Sequence, residues 1–167
     1  TSGKSTTSSM IFHILKENNF MAGIISTVGA IAGDEVIDTG LHVTTPDPIE
    51  LQNILRKMSS KKIEYVILES SSHALDQGRL GFLKLYAAVF TNIKRDHLDY
   101  HKTWENYIRA KARLIDHLKR DGIAVINKDD SKAFNYLSDF ISSVKQKGKK
   151  VKELIYSVQD EVKDFEE

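Results

Sequence analysis

Cysteine is absent from the 167-residue chain. That excludes disulfides and thiolate-held metals, and it fits an expected cytoplasmic location. Proline is almost absent: the two present, Pro46 and Pro48, sit together and mark one loop. No apolar run approaches the ~20 residues that cross a bilayer, and no signal peptide is visible. An excess of one charge is lacking too. A net charge of +1 argues against a dedicated nucleic-acid binder, which is usually strongly basic, although a local basic patch could still serve a phosphorylated small molecule. No internal repeat or low-complexity segment is evident. What is there is ordinary: 41% hydrophobic and 28% charged residues, enough chain for one domain with a proper core.

Short β-rich runs alternate with helical patterns. The runs at 22–27, 63–69, 86–92, 122–127 and 153–158 read as strands, and those at 4–17, 47–58, 103–118 and 131–146 as helices. Residues 29–40 carry Gly-Asp turn chemistry and read as a hairpin or an excursion from the sheet. Asp47 and Pro48 form a helix start, with Glu50 completing a box-like cap. Ile49, Leu51, Ile54, Leu55 and Met58 then read as one side of that helix. The alternation predicts an α/β fold: a three-layer α/β/α arrangement with a mostly parallel sheet, of the P-loop nucleotide-binding type. Tyr65-Val66-Ile67-Leu68 and Ala87-Ala88-Val89-Phe90 read as central strands buried on both faces. Polar clusters follow several strands, where open α/β sheets bind ligands. These are Glu69-Ser70-Ser71-Ser72-His73, Thr91-Asn92 and Asn127-Lys128-Asp129-Asp130.

The chain opens on Thr1-Ser2-Gly3-Lys4-Ser5-Thr6 ahead of an amphipathic helix, the pattern of the second half of a Walker A loop. In such a loop the N–H groups of the helix start cradle phosphates, Lys4 offsets their charge and the Ser5 hydroxyl can reach Mg²⁺. The bland alternative is an accidental Gly-Lys-Ser at a helix start. The helix from Thr103 carries Trp104, Tyr107, Ile108, Leu114, Ile115 and Leu118 at helical spacing, and Lys111 falls on the same stripe. A lysine there snorkels, pairs with an acid, or is chemically altered. Desolvation lowers its pKa and makes it nucleophilic, so reaction with CO₂ to a carbamate would give a carboxylate-like group. Asp96-His97-Leu98-Asp99-Tyr100-His101 offers imidazole and carboxylate, or is a polar capping loop. Glu69 is the better ligand for a hard cation. Zinc is disfavoured by the histidine spacing. Arg79 can hold a carboxylate or phosphate in a fork, or an ordinary surface ion pair.

Taken together, these segments resemble the central domain of the Mur ligases. The carrying motifs are Gly3-Lys4-Ser5-Thr6, Thr44-Thr45-Pro46, Glu69 to His73, Gln77-Gly78-Arg79, Phe90-Thr91-Asn92, Asp96 to His101, Ala110-Lys111 and Asn127 to Asp130. They look most like the branch that adds the third residue of the peptidoglycan stem peptide. The resemblance implies an ATP-dependent amide ligase that acts through an acyl phosphate, with a UDP-N-acetylmuramoyl dipeptide and an amino acid as substrates and ATP and Mg²⁺ as cofactors. By resemblance, Thr1, Ser2, Gly3, Lys4, Ser5 and Thr6 would bind ATP phosphates, and Asn127 and Asp130 would lie near the adenosine. Ser5, Glu69, His97 and a carbamylated Lys111 would hold metal. Lys4, His97 and Lys111 are the expected catalytic residues. Thr44, Thr45, Ser71, Gln77 and Arg79 would contact the muramoyl peptide.

The resemblance also implies that residues 1–150 are the central domain. Residues 151–167 would be its last strand and the start of a link to a C-terminal domain that chooses the amino acid. An earlier loop glycine with its strand and a uridine-binding N-terminal domain would lie upstream, and the 167 residues alone would be inactive. Folylpolyglutamate and cyanophycin synthetases share the loop and the lysine. A nucleotide-binding regulatory module that does not ligate would need neither Lys111 in the stripe nor the His97 loop.

Overall fold

The computed structural model describes residues 2–37, 44–81 and 83–159. The fold is mixed α/β, and the chain forms two compact units, one of Gly3–Leu83 and the other of Ser2 with residues from 84 onward.

In the Gly3–Leu83 unit, helix α1 (Lys4–Glu17) leads into strand β1 (Ala22–Ser26) and a hairpin of β2 (Gly29–Ala32) and β3 (Glu35–Ile37). Helix α2 (Pro48–Ser60), strand β4 (Tyr65–Leu68) and the short helix α3 (Ser72–Asp76) follow. The sheet order is β3-β2-β1-β4. β1 pairs antiparallel with β2 and parallel with β4, from Ala22↔Tyr65 to Ile25↔Leu68. All five residues of β1 are buried, and their side chains alternate between two clusters. Ala22 and Ile24 pack with Phe12 of α1. Ile25 packs with Leu51, Ile54 and Met58 of α2. Gly23 lets α2 come close: a Cβ there would lie 3.1 Å from Met58 Sδ.

The cap of α2 forms as the sequence predicts, with Asp47 Oδ1 accepting from the N–H groups of Ile49 and Glu50 at 2.9 and 3.0 Å. Two details differ. Glu50 Oε2 is buried without a hydrogen-bond partner, so that oxygen does not close a capping box. Ile49 is 76% exposed, because two residues of helix separate it by about 200° from Leu51 on the buried stripe.

In the second unit, strand β5 (Leu85–Phe90) is followed by α4 (Leu98–His101), α5 (Trp104–Asp116), β6 (Leu118–Asn127), α6 (Ser131–Gln146) and β7 (Val151–Tyr156). The three strands are parallel in the order β5-β6-β7. Trp104, Tyr107, Ile108, Ala112 and Ile115 of α5 and Ala133, Leu137, Ile141 and Val144 of α6 pack on Ala88, Phe90, Ala124, Ile126 and Val151. α5 ends two residues earlier than its periodicity predicts. Lys149 Nζ donates to the carbonyls of Ile115 and Asp116 at 2.7 and 2.8 Å, which satisfies the helix end and frees Leu118 for β6.

Among the described residues, the two apolar runs expected as central strands do not take that place. Among the described residues β4 and β5 are each the outermost strand of their sheet, and Tyr65 and Tyr86 are 47% and 63% exposed. The fully covered strand is β1. An apolar run reports burial on average and says nothing of how many neighbours a strand has.

Candidate functional site

The carboxyl ends of β1 and β4 lie side by side because the strands are parallel, and Glu69 is the first residue after β4. Its N–H donates to the Ile25 carbonyl at 2.8 Å, and the residue is only 3% exposed. The N-terminus of α1 arrives at the same place. Gly3 precedes it with a φ of 80° and no side-chain cap, the left-handed conformation that glycine adopts without strain. An uncapped helix start presents backbone N–H groups and the positive end of the helix dipole to an anion. Ser5 Oγ lies 3.0 Å from both oxygens of Glu69, and Lys4 Nζ lies 3.9 Å from Oε1. A helix start, an ammonium, a hydroxyl and a buried carboxylate therefore meet at one sheet edge. Thr6 is exposed on the first turn. Thr1 lies outside the described residues.

Thr45 is buried beneath this cluster. Its hydroxyl donates to the Glu69 carbonyl at 3.1 Å and accepts from the Ser71 N–H at 3.1 Å. Arg79 Nη1 donates to the Thr45 carbonyl at 2.9 Å, and Arg79 Nε to Gln77 Oε1 at 2.8 Å. Ser71 Oγ caps α3 through the Ala74 N–H. Four of the five residues expected at the muramoyl peptide, Thr45, Ser71, Gln77 and Arg79, are thus joined in one hydrogen-bonded network. Thr27 was not singled out by the sequence. Its N–H and hydroxyl each lie 3.3 Å from Glu69 Oε2, and its hydroxyl is 3.1 Å from that of Thr44.

A second cluster lies in the other unit. Lys111 is 7% exposed on the buried face of α5, and its Nζ stands 5.1 Å from the centroid of the Tyr107 ring. The His97 and His101 rings approach the same tyrosine at 6.2 and 5.3 Å. His97 is held at a φ of 52° as it leads into α4, and Asp96 Oδ1 accepts its N–H at 2.9 Å. Tyr107 is a shared wall between the lysine and both imidazoles. Sequence periodicity placed it in the core but could not show what its ring faces.

At the carboxyl ends of β5 and β6, Asn127 Nδ2 donates to the Thr91 carbonyl at 2.8 Å, and Asp130 Oδ2 accepts from the Ile93 N–H at 2.6 Å. Ser2 is pinned beside them: its carbonyl accepts from Thr91 Oγ1 and Asn92 Nδ2 at 2.9 and 2.8 Å. Asp129 binds Ser157 and the Val158 N–H, and these bonds hold its carboxyl below the usual aspartate range. Burial, followed by the nearby Asp129 charge, pushes the Tyr156 hydroxyl up.

Among the described residues no group of three or more His, Cys, Asp or Glu could hold a metal by itself. Ser5 beside Glu69 nevertheless fits Mg²⁺, which is held by one or two carboxylates and completes its shell with water and substrate phosphates. No helix among the described residues is long and apolar enough to cross a membrane.

Known proteins match this chain in sequence and in fold. The Mur ligase middle domain matches residues 1–167. The UDP-N-acetylmuramoyl-L-alanyl-D-glutamate--2,6-diaminopimelate ligase of Phocaeicola vulgatus is 42% identical over 130 residues, which cover 78% of this chain and 26% of that enzyme. The enzyme of the same name from Clostridium perfringens is 36% identical over 161 residues, 96% of this chain and 31% of the relative. A solved structure bearing that name superposes with a TM-score of 0.80 at 35% identity, over 97% of this chain and 31% of that one. The chain therefore spans under a third of the length of these relatives. On this sequence match and this superposition, the chain belongs to the Mur ligase family, as its middle domain.

Proposed function

We propose that the whole protein is a cytoplasmic ATP-dependent ligase that adds the third amino acid to UDP-N-acetylmuramoyl-L-alanyl-D-glutamate, and that the amine is 2,6-diaminopimelate. The observation that carries the ATP end is the meeting of Gly3, Lys4, Ser5 and buried Glu69 at the carboxyl ends of β1 and β4. The names of the relatives supply the muramoyl substrate and the amine. Residues 1–150 are read as the ATP-binding central domain, and 151–167 as its last strand with the start of a link.

The reaction joins two anions, so charge must be offset before bonds can form. The substrate carboxylate oxygen attacks the γ-phosphorus and ADP leaves, giving an acyl phosphate. The amine then attacks the acyl carbon, an amide forms, phosphate leaves and the amine loses a proton. Lys4 and the N–H groups at the start of α1, with Ser2 and Thr6 beside them, would neutralise the β- and γ-phosphates and hold them in line. Asn127 and Asp130 would border the adenosine. Thr44, Thr45, Ser71, Gln77 and Arg79 would shape the loop that takes the muramoyl peptide. Ser5 and Glu69 would hold one Mg²⁺, and His97 with Lys111 the second. Lys111 would serve as a carbamate: its ammonium loses one proton to give the neutral amine, which adds to CO₂ with loss of a second, so that a cation becomes an anion. Its burial supports this, because desolvation favours the neutral, nucleophilic amine. Mg²⁺ supplies Lewis acidity at the phosphates and screens the approach of the carboxylate.

The test is ligation by the full-length protein. With ATP and Mg²⁺ it should release phosphate only when the UDP-muramoyl dipeptide and diaminopimelate are both present. Release driven by folate, or by lysine with equal efficiency, would sink the substrate assignment.

A further inference from the structure

We propose that Thr27 is a positioning residue that couples occupancy of the Thr44–Thr45 loop to the placement of the Glu69 carboxylate. The inference rests on the proposed role of Glu69 at the metal and adds a link that this role does not contain.

Thr27 follows β1 by one residue and stands between two groups of different purpose. An ionised carboxylate only accepts hydrogen bonds, so the single hydroxyl proton of Thr27, 3.3 Å from Glu69 Oε2, is donated to Glu69. The Thr44 hydroxyl, 3.1 Å away, then donates to Thr27. The result is a directed chain from Thr44 to Thr27 to Glu69, reinforced by the Thr27 N–H on the same oxygen. Thr45 grips the other end of the residue, through its hydroxyl on the Glu69 carbonyl. Two adjacent loop residues thus hold Glu69 by its side chain and by its backbone. Ser5 reaches both carboxylate oxygens, whereas the Thr27 bonds go to Oε2. Oε1 is therefore the oxygen that can turn to a metal while Oε2 stays anchored. A ligand that engages the Thr44 hydroxyl changes the polarisation of the whole chain, so muramoyl-peptide binding and metal binding must be linked, and linked reciprocally. If Thr27 only tidied the turn after β1, its replacement would alter stability and leave the linkage untouched.

The experiment measures Mn²⁺ binding, as a probe of the Mg²⁺ site, to the full-length protein with and without saturating UDP-N-acetylmuramoyl dipeptide. Wild type should bind the ion more tightly with the dipeptide, within the roughly 5–150-fold range of site–site coupling. In Thr27→Val, similar in shape but without the hydroxyl, that factor should fall to near one. Thr27→Ser should restore it, and in Thr27→Val kcat should drop more than KM for the dipeptide changes. Should Thr27→Val fold poorly, Thr27→Ala removes the same hydroxyl without a branched side chain and should lose the coupling likewise. Coupling that survives in both variants that lack the hydroxyl, or that Thr27→Ser fails to restore, overturns the proposal. Glu69→Gln separates the underlying reading: Mn²⁺ binding unchanged in that variant would show that Glu69 does not serve the metal at all.

Discussion

At the scale of single residues, Lys111 and Tyr107 carry the most information. A lysine on the buried face of α5 can sit on the Tyr107 ring as a cation or be converted to a carbamate. Only the second makes it a metal ligand. Lys111→Ala in the full-length protein should lower kcat on the order of 10²–10³-fold, the scale lost with one preorganised electrostatic group. A melting temperature near that of wild type would locate the effect in catalysis. Wild-type turnover would assign the lysine to packing. Asp129 makes a separate prediction about pH. Its bonds to Ser157 and Val158 hold its folded pKa below the ordinary value of 3.8. It therefore contributes stability that is full above that value and is lost as pH falls through the folded pKa. Asp129→Asn should lower the melting temperature at neutral pH and flatten its decline in acid. Parallel melting curves of variant and wild type across the acid range would contradict this. Lys111, Glu69 and the loop lysine were legible in sequence because each breaks a local pattern. Thr27 was not, since a threonine after a strand breaks none, and its partners lie 17 and 42 positions away.

At the scale of elements, capping chemistry and periodicity explain what could be read. α1 and α6 have the bounds their apolar spacing predicts, and the α2 start follows from Asp47-Pro48. Asp47→Ala should cost about 1 kcal/mol, as for other N-caps, seen as a lower denaturation midpoint at unchanged slope. An unchanged midpoint would mean that the two short bonds to Ile49 and Glu50 contribute nothing net. The helices α3 and α4, of five and four residues, escaped the sequence because they are too short to display a period. The rank of β4 and β5 in their sheets escaped it because pairing partners are set by topology. The strand ends were placed well: Glu69 and Thr91 follow β4 and β5 directly and Asn127 is the last residue of β6, all at the carboxyl edge, where parallel sheets gather ligands.

At the scale of the whole molecule, the chain holds the Lys4–Ser5–Glu69 cluster in one unit and the His97–Lys111 cluster in the other. Its family membership says that both belong to one ligase domain, and its length, under a third of its relatives, makes the complete enzyme the object to test. The central claim is that the glutamate carboxylate is activated by phosphorylation before the amine attacks. The full-length protein, given UDP-N-acetylmuramoyl-L-alanyl-D-glutamate with heavy oxygen in the terminal glutamate carboxylates, ATP, Mg²⁺ and diaminopimelate, reports on this directly. An acyl phosphate requires one carboxylate oxygen to leave with phosphate, so the inorganic phosphate should carry one heavy oxygen per amide formed. Amide formation with unlabelled phosphate would contradict the account.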